Sequence, residues 1–196
     1  MKKQFLKIAM GLLFAVSLFS ANSLKAQIGQ GTILIEPYYG FASTGKSLLT
    51  VYNQSGTSTV SSLGPVGLRF NYMLSEKFGL GIDGNHQAMS LDYTDGTFNY
   101  TVSRNVFRVM LNTHLIILSE ASFQLYGNIG AGFRNPAWTF TSDDPNYIEE
   151  TVPGIMPVAF KLGLGGRYMF TDNLGIHAEV NLGGGSNANG GLSFAF

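Results

Sequence analysis

From Ile33 to Phe196 the chain alternates apolar and polar side chains and shows almost no helical period. Between Pro65 and Leu74, the residues Val66, Leu68, Phe70, Tyr72 and Leu74 share one side, and Gly67, Arg69, Asn71 and Met73 share the other. Successive side chains of a strand point to opposite faces, so this segment predicts a strand with one oily and one polar face. The pattern recurs. Ile33, Ile35, Tyr39 and Phe41 oppose Glu36, Tyr38 and Gly40; Phe78, Leu80 and Ile82 oppose Gly79, Gly81 and Asp83. Phe107, Val109, Leu111, Leu115 and Ile117 oppose Arg108, Met110, Asn112 and His114; Phe123, Leu125, Ile129 and Phe133 oppose Gln124, Tyr126, Asn128 and Arg134. Val158, Phe160, Leu162 and Leu164 oppose Lys161, Gly163, Gly165 and Arg167; Ile176, Ala178, Val180 and Leu182 oppose His177, Glu179 and Asn181. The end sets Leu192, Phe194 and Phe196 against Gly191, Ser193 and Ala195. Eight amphipathic strands are predicted, most near the ~9–11 residues that a tilted membrane strand needs.

The connectors alternate in length. Ser75-Glu76-Lys77, Ser119-Glu120-Ala121 and Thr171-Asp172-Asn173 are tight polar turns. Long links around Ala42–Leu63 and Asn135–Pro153, with shorter ones near Thr94–Thr97 and Gly184–Ala188, fall on the other side. Short turns at one end and longer loops at the other are the habit of outer-membrane barrels. Tyr72, Phe78, Tyr168 and Phe170 are placed at an inner aromatic girdle, and Tyr39, Phe41, Tyr93 and Phe133 at an outer one. The runs Asn71–Gly81 and Arg167–Ile176 resemble each other, which predicts one hairpin chemistry used twice.

The start of the chain follows a different rule. Lys2, Lys3 and Lys7 precede an apolar run from Ile8 to Phe19, and small and polar residues lead to Leu24-Lys25-Ala26. This order is that of a secretory signal peptide, residues 1–26, with cleavage after Ala26 or after Ser23. The remaining domain, residues 27–196, loses four of the twelve bases and none of the twelve acids, for a net charge of −4. That balance argues against nucleic acid as a partner. The absence of Cys removes disulfides and thiolate metal sites.

Composition then decides between water and lipid. Charged residues make up 12% of the chain, against about 25% in a water-soluble domain. The apolar face is long, aromatic and repeated on every strand, whereas the polar face is narrow and rich in Gly, Asn and Gln. Hydrocarbon offers backbone groups no water, so a sheet with this face must close on itself. The expected fold is all-β: an eight-stranded antiparallel up-and-down transmembrane barrel with a polar, packed interior. Inside it, Glu36, Asp83 and Glu179 are expected to meet Arg69, Arg108, Lys161 and Arg167 in one ion-pair and hydrogen-bond network with His177. Gly is expected to make room for the long Arg chains.

The signal peptide, the eight amphipathic strands, the repeated Tyr-Met-(Leu/Phe)-(Ser/Thr) turns and the closing Gly190-Gly191-Leu192-Ser193-Phe194-Ala195-Phe196 together resemble the small outer-membrane barrel family of the OmpX and OmpA-barrel type. The resemblance spans residues 27–196. It implies a place in the outer membrane of a Gram-negative-type bacterium, contact with outer-membrane lipid, and structural, adhesive or stress-related surface roles. It also implies that Phe194 and Phe196 form an assembly signal read by the barrel insertion machinery.

Several motifs carry possible chemistry. Gly40-Phe41-Ala42-Ser43-Thr44-Gly45-Lys46-Ser47 fits the phosphate-binding loop pattern, but that loop needs a helix starting at Lys46-Ser47. Leu48-Leu49-Thr50-Val51-Tyr52 favours a strand, so an external loop is the preferred reading. His86 and Ser90 share a strand face, as a membrane-embedded lipid A hydrolase would want, yet the tight His-x-Ser pairing and an orienting acid are missing. His114 and His177 fall on inward faces as core histidines, without close ligand spacing for a metal. Asn53-Gln54-Ser55 and Asn99-Tyr100-Thr101 match eukaryotic glycosylation acceptors, which a bacterial source makes uninformative. The Asn135–Pro153 link holds Trp138, Phe140, Asp143, Asp144 and Tyr147 and is read as a solvated loop, with contact to an extracellular partner or a weak Ca²⁺ site as the functional alternative.

The sequence therefore predicts a monomeric, non-enzymatic outer-membrane barrel without cofactor or metal, with a structural or surface-interaction role. A narrow porin-like or hydrophobic-solute channel is the rival reading, and a lipid A-modifying hydrolase a more distant one.

Overall fold

The computed structural model describes residues 28–41, 58–154 and 156–196. The expected signal peptide, most of the Gly40–Ser47 motif and Asn53-Gln54-Ser55 lie outside these residues. The elements are β1 (Ile33–Phe41), β2 (Ser58–Met73), β3 (Phe78–Thr94), β4 (Asn99–Ser119), β5 (Phe123–Ser142), β6 (Glu150–Pro153), β7 (Val158–Met169), β8 (Leu174–Gly183) and β9 (Ala188–Ala195). All pairings are antiparallel, β4 joins β5, and β9 returns to β1, so the sheet closes. The wall has eight strands, because β6 continues the line of β7. The upper part of β5, Ala137–Phe140, pairs with β6, and its lower part, Phe123–Phe133, pairs with β7. Pro153 ends β6 and Pro157 immediately precedes β7; neither can donate to a ladder, which interrupts the strand there.

The cylinder is inside-out relative to a water-soluble protein. Leu111 and Phe133 on its outer face are 73% and 74% exposed, while Glu36, Arg69 and Asp83 are fully buried within. At the short-turn end Ile28, Leu34, Met73, Ile116, Tyr126, Met169 and Ala195 form an apolar cluster that stoppers the lumen. The segment before β1 is held there by Gly31 N–H to the Met73 carbonyl at 2.8 Å and Met73 N–H to the Thr32 carbonyl at 2.9 Å. The two similar turns carry the same bonds. Phe78 N–H donates to Ser75 Oγ at 3.1 Å, and Leu174 N–H donates to Thr171 Oγ1 at 3.0 Å. Tyr168 and Phe170 meet edge to face at this end, and Tyr39 and Phe41 do so at the other.

The strands are unequal, which corrects the expected lengths. β2, β3, β4 and β5 have 16, 17, 21 and 20 residues, against 10 for β8 and 8 for β9. One side of the barrel therefore rises as a tall wall over a low rim. The Asn135–Pro153 link is accordingly mostly strand: Asn135–Ser142 extends β5 and Glu150–Pro153 is β6, leaving a short loop between. Above the oily belt the polarity of the two faces inverts. Outward positions become Ser90, Asp92, Ser103, Thr101 and Thr139, joined across strands by Ser61–Ser90 at 2.6 Å, Thr101–Asp92 at 2.6 Å and Thr139–Thr151 at 3.2 Å. Inward positions become aromatic, with Tyr93 stacked on Tyr100 at 5.1 Å and Trp138 under Arg104. An outward face of this kind suits water, as the apolar belt below it suits hydrocarbon.

A charge placed on the belt should therefore cost far more than one placed on the tall wall. Leu111→Arg is expected to destabilise the barrel by about 2–4 kcal/mol in lipid vesicles, and Ser103→Arg by about 0–1 kcal/mol. Urea unfolding followed by tyrosine and tryptophan fluorescence compares them; equal costs would remove the proposed belt boundary.

Candidate functional site

The midsection of the lumen is one connected set of charges. Carboxylates and bases from five strands point inward because each occupies the inward phase of its strand. Arg167 anchors the lower end, giving Glu36 Oε1 two hydrogen bonds, from Nη2 at 2.7 Å and from Nε at 3.1 Å. Ser193 Oγ donates to the same oxygen at 2.8 Å. Arg69 bridges upward, with Nη1 3.4 Å from Glu36 Oε2 and Nη2 3.0 Å from Glu179 Oε1. Its Nε stands 3.6 Å from Asp83 Oδ2, an ionic contact and not a hydrogen bond. Lys161 Nζ joins Glu179 at 2.9 Å and Asp83 at 2.8 Å. Three carboxylates thus face three bases, with no formal charge left over in this layer.

Neutral side chains add further hydrogen bonds, although Arg69 Nε, Tyr126 Oη and His177 Nε2 are left without one. Asn128 and Asn189 donate to Glu179. Tyr38 Oη donates to Asp83 Oδ1 at 2.6 Å and accepts from Asn85 Nδ2 at 3.1 Å. His114 Nδ1 lies 3.0 Å from Asn128 Oδ1, and Arg167 Nη2 points at its Nε2 at 3.4 Å. A guanidinium only donates, so the His114 proton sits on Nδ1. His177 reaches Glu36 through Ser193, whose hydroxyl lies 3.1 Å from His177 Nδ1.

Two aromatic rings set the spacing. Tyr38 lies on Gly67, its direct partner across β1 and β2, and Tyr126 lies on Gly165 across β5 and β7. A Cβ at Gly67 would come within 2.2 Å of the Tyr38 ring, and one at Gly165 within 2.6 Å of the Tyr126 ring. The rings in turn carry cations, Arg69 at 5.5 Å from Tyr38 and Arg167 at 4.9 Å from Tyr126. The inward glycines at these positions make room for tyrosine, not directly for arginine as the sequence suggested.

Arg108 departs from the expected network. It meets no carboxylate; Nη1 donates to Asn85 Oδ1 and Nη2 to Gln87 Oε1, both at 3.1 Å. The three acids of the lumen are already taken by Arg69, Lys161 and Arg167, and Arg108 lies above them toward the open end. The expected contact-loop residues are also dispersed. Trp138 and Phe140 belong to β5, Asp143 binds Asn99 N–H and Nδ2, each at 2.7 Å, Asp144 caps its own turn through Asn146 N–H at 2.8 Å, and Tyr147 meets Tyr100 edge-on.

His86 is exposed on the outer face of β3, and Ser90 there bonds Ser61, so the two do not form a nucleophile–base pair. Among the described residues no group of three or more His, Cys, Asp or Glu side chains is arranged to hold a metal ion. Phe196 closes the seam, its backbone exchanging two 2.9 Å bonds with Ile33, and Phe194 lies half-buried one pleat above it.

Breaking one member of the charge layer strands its partners. Glu179→Ala is expected to destabilise the barrel by about 3–5 kcal/mol, measured by urea unfolding in vesicles, because Arg69 and Lys161 both lose a carboxylate. A loss below about 1 kcal/mol would mean that water reaches this layer freely.

No protein-family model and no curated protein matches the chain. Among solved structures it is similar to the N-terminal β-barrel domain of OprF from Pseudomonas aeruginosa, with 16% identity and a TM-score of 0.47 over 86% of this chain and 99% of that one. It is similar to Ail, the attachment invasion locus protein of Yersinia pestis, in complex with the heparin analogue sucrose octasulfate, at 13% identity and a TM-score of 0.48 over 85% and 96%. It is also similar to the outer membrane protein OprG of Pseudomonas aeruginosa, at 14% identity and a TM-score of 0.46 over 87% and 98%.

Proposed function

We propose that this chain is a non-enzymatic outer-membrane barrel, closed to conduction, that presents its tall β2–β5 wall at the cell surface. The observation that carries the reading is the ionic layer across the lumen. Six charged side chains from opposite walls, each buried, touch one another through the axis. Moving an ion or a polar solute through would require parting these pairs, each of which is costly to leave half-made. Below them the Leu34–Met73–Met169 cluster adds an apolar stopper. The oily belt with its aromatic ends supports a membrane setting. The inverted polarity of the tall wall supports its standing in water, with Tyr93, Tyr100, Trp138 and Phe140 available to a partner at the surface.

Two measurements test this. Reconstituted in planar bilayers, the protein is expected to give near-zero conductance; steady unit steps would support the narrow-channel alternative instead. The chain has no native Cys, so single cysteines report sidedness. Thr97→Cys, in the turn between β3 and β4, is expected to react with a membrane-impermeant maleimide on intact cells, and Glu120→Cys, in the turn between β4 and β5, only after lysis. The reverse result would overturn the orientation, and labelling of neither in a soluble cell fraction would overturn the membrane reading.

A further inference from the structure

Above the neutral layer the lumen becomes one-signed. Arg108 and Arg134 are direct cross-strand partners on β4 and β5. Arg104 lies two inward positions higher on the same face of β4, beyond Val106, its guanidinium 5.1 Å above the Trp138 ring. Like charges directly opposite one another in a sheet are destabilising, and all three line one cavity of about 290 Å³ without a single acid among its walls. Nothing elsewhere in the chain supplies one, since the described ion pairs involve none of these arginines and the segment 42–57 contains Lys46 and no Asp or Glu. Donors remain to be used: Arg104 Nε is buried without a partner, and Arg134 spends its Nε on the Met156 carbonyl at 2.8 Å.

The cavity also has a second wall of different character. It crosses the low rim of the barrel at Gly183-Gly184-Gly185 and reaches Val158 and Phe160, which are 54% and 63% exposed on the lipid-facing side. The three rim glycines have φ of +83°, +66° and +99°, a left-handed run that only glycine adopts without strain. A Cβ at Gly185 would come within 2.6 Å of the Arg108 guanidinium. The rim is thus kept thin where the buried cations come nearest to the outer surface of the oily belt.

We propose that this cavity binds a phosphate monoester, with the phosphate among Arg104, Arg108 and Arg134 and any attached acyl chain leaving over the glycine rim onto Val158 and Phe160. Arginine forks match phosphate oxygens, and bonds between two charged groups are the stronger kind. The anion would offset the opposed Arg108–Arg134 pair that the protein itself leaves uncompensated. A lipid headgroup and a free phosphate share this chemistry. The lipid as source rests on the outer-membrane reading above, whereas the arginine site itself does not.

Trp138 is the only tryptophan and lies against Arg104, so its fluorescence reports occupancy. The folded protein in maltoside micelles is titrated with lysophosphatidic acid, with the monoacylglycerol of the same chain length, and with inorganic phosphate. A saturable change with lysophosphatidic acid and none with monoacylglycerol is expected. Competition by inorganic phosphate would assign the site to the phosphate group alone; its failure to compete would assign the acyl rim a share and favour the lipid source. The Arg104→Gln/Arg134→Gln variant, checked for folding by the shift in gel mobility on boiling, is expected to bind about tenfold more weakly or worse. Arg134→Gln alone, which removes the opposed pair, serves as the second variant and is expected to weaken binding while folding at least as well. No saturation with either phosphate compound, an equal response to monoacylglycerol, or unchanged binding by both variants would overturn the site. A soluble, unshifted protein would instead overturn the membrane reading.

Discussion

Charge taken out of water has to be met by charge, and in this lumen the meeting is arranged around Arg69. Its guanidinium contacts all three buried acids, Glu36, Asp83 and Glu179, from β1, β3 and β8. Lys161 and Arg167 from β7 then close the set on the far wall. These contacts tie strands that are distant around the circumference, which the backbone ladder alone cannot do. The desolvation cost of such ions is several kcal/mol each and is offset by close pairing and by hydrogen bonds to the remaining oxygens and donors. Asn128, Asn189, Ser193 and Tyr38 serve that purpose, so the neutral polar residues of the interior belong to the same electrostatic unit.

The outer surface follows from the inner one. Once the ions fill the lumen, the remaining face of every strand is free to be apolar, and hydrocarbon is the solvent that suits it. Closure then satisfies the backbone without water. The same logic explains the top of the wall. Where lipid ends, the outward residues turn to Ser, Thr and Asp, and the inward ones, no longer facing a packed ionic layer, turn to Tyr, Trp and Phe. The barrel thus carries a hydrocarbon-type exterior below and a water-type exterior above, within the same continuous strands.

Much of this was legible in the alternation. Arg69, Asp83, Lys161, Arg167 and Glu179 each sit in the inward phase of a segment whose other phase is oily, and eight such segments close in only a few ways. Strand length was not legible, because the polarity pattern flips phase near Phe107 and Phe133; a reading that follows the oily phase stops there and takes Trp138 and Phe140 for a loop. The tyrosine–glycine pairs were also out of reach. Tyr38 on Gly67 and Tyr126 on Gly165 are cross-strand neighbours, and their meeting depends on register between segments that one chain of letters does not align. The separation of Arg108 from the acids has the same origin: height along the axis, set by shear, decides which inward charges meet.

The direct test is a double-mutant cycle on a buried pair of the layer, Glu36 and Arg167. Glu36→Gln, Arg167→Met and the double variant are unfolded by urea in lipid vesicles beside the parent protein. A shared, dry ionic layer predicts non-additive losses, with a coupling of about 1–3 kcal/mol between the two sites. Strictly additive losses would mean that each charge is solvated on its own, and would contradict a lumen sealed by its ions.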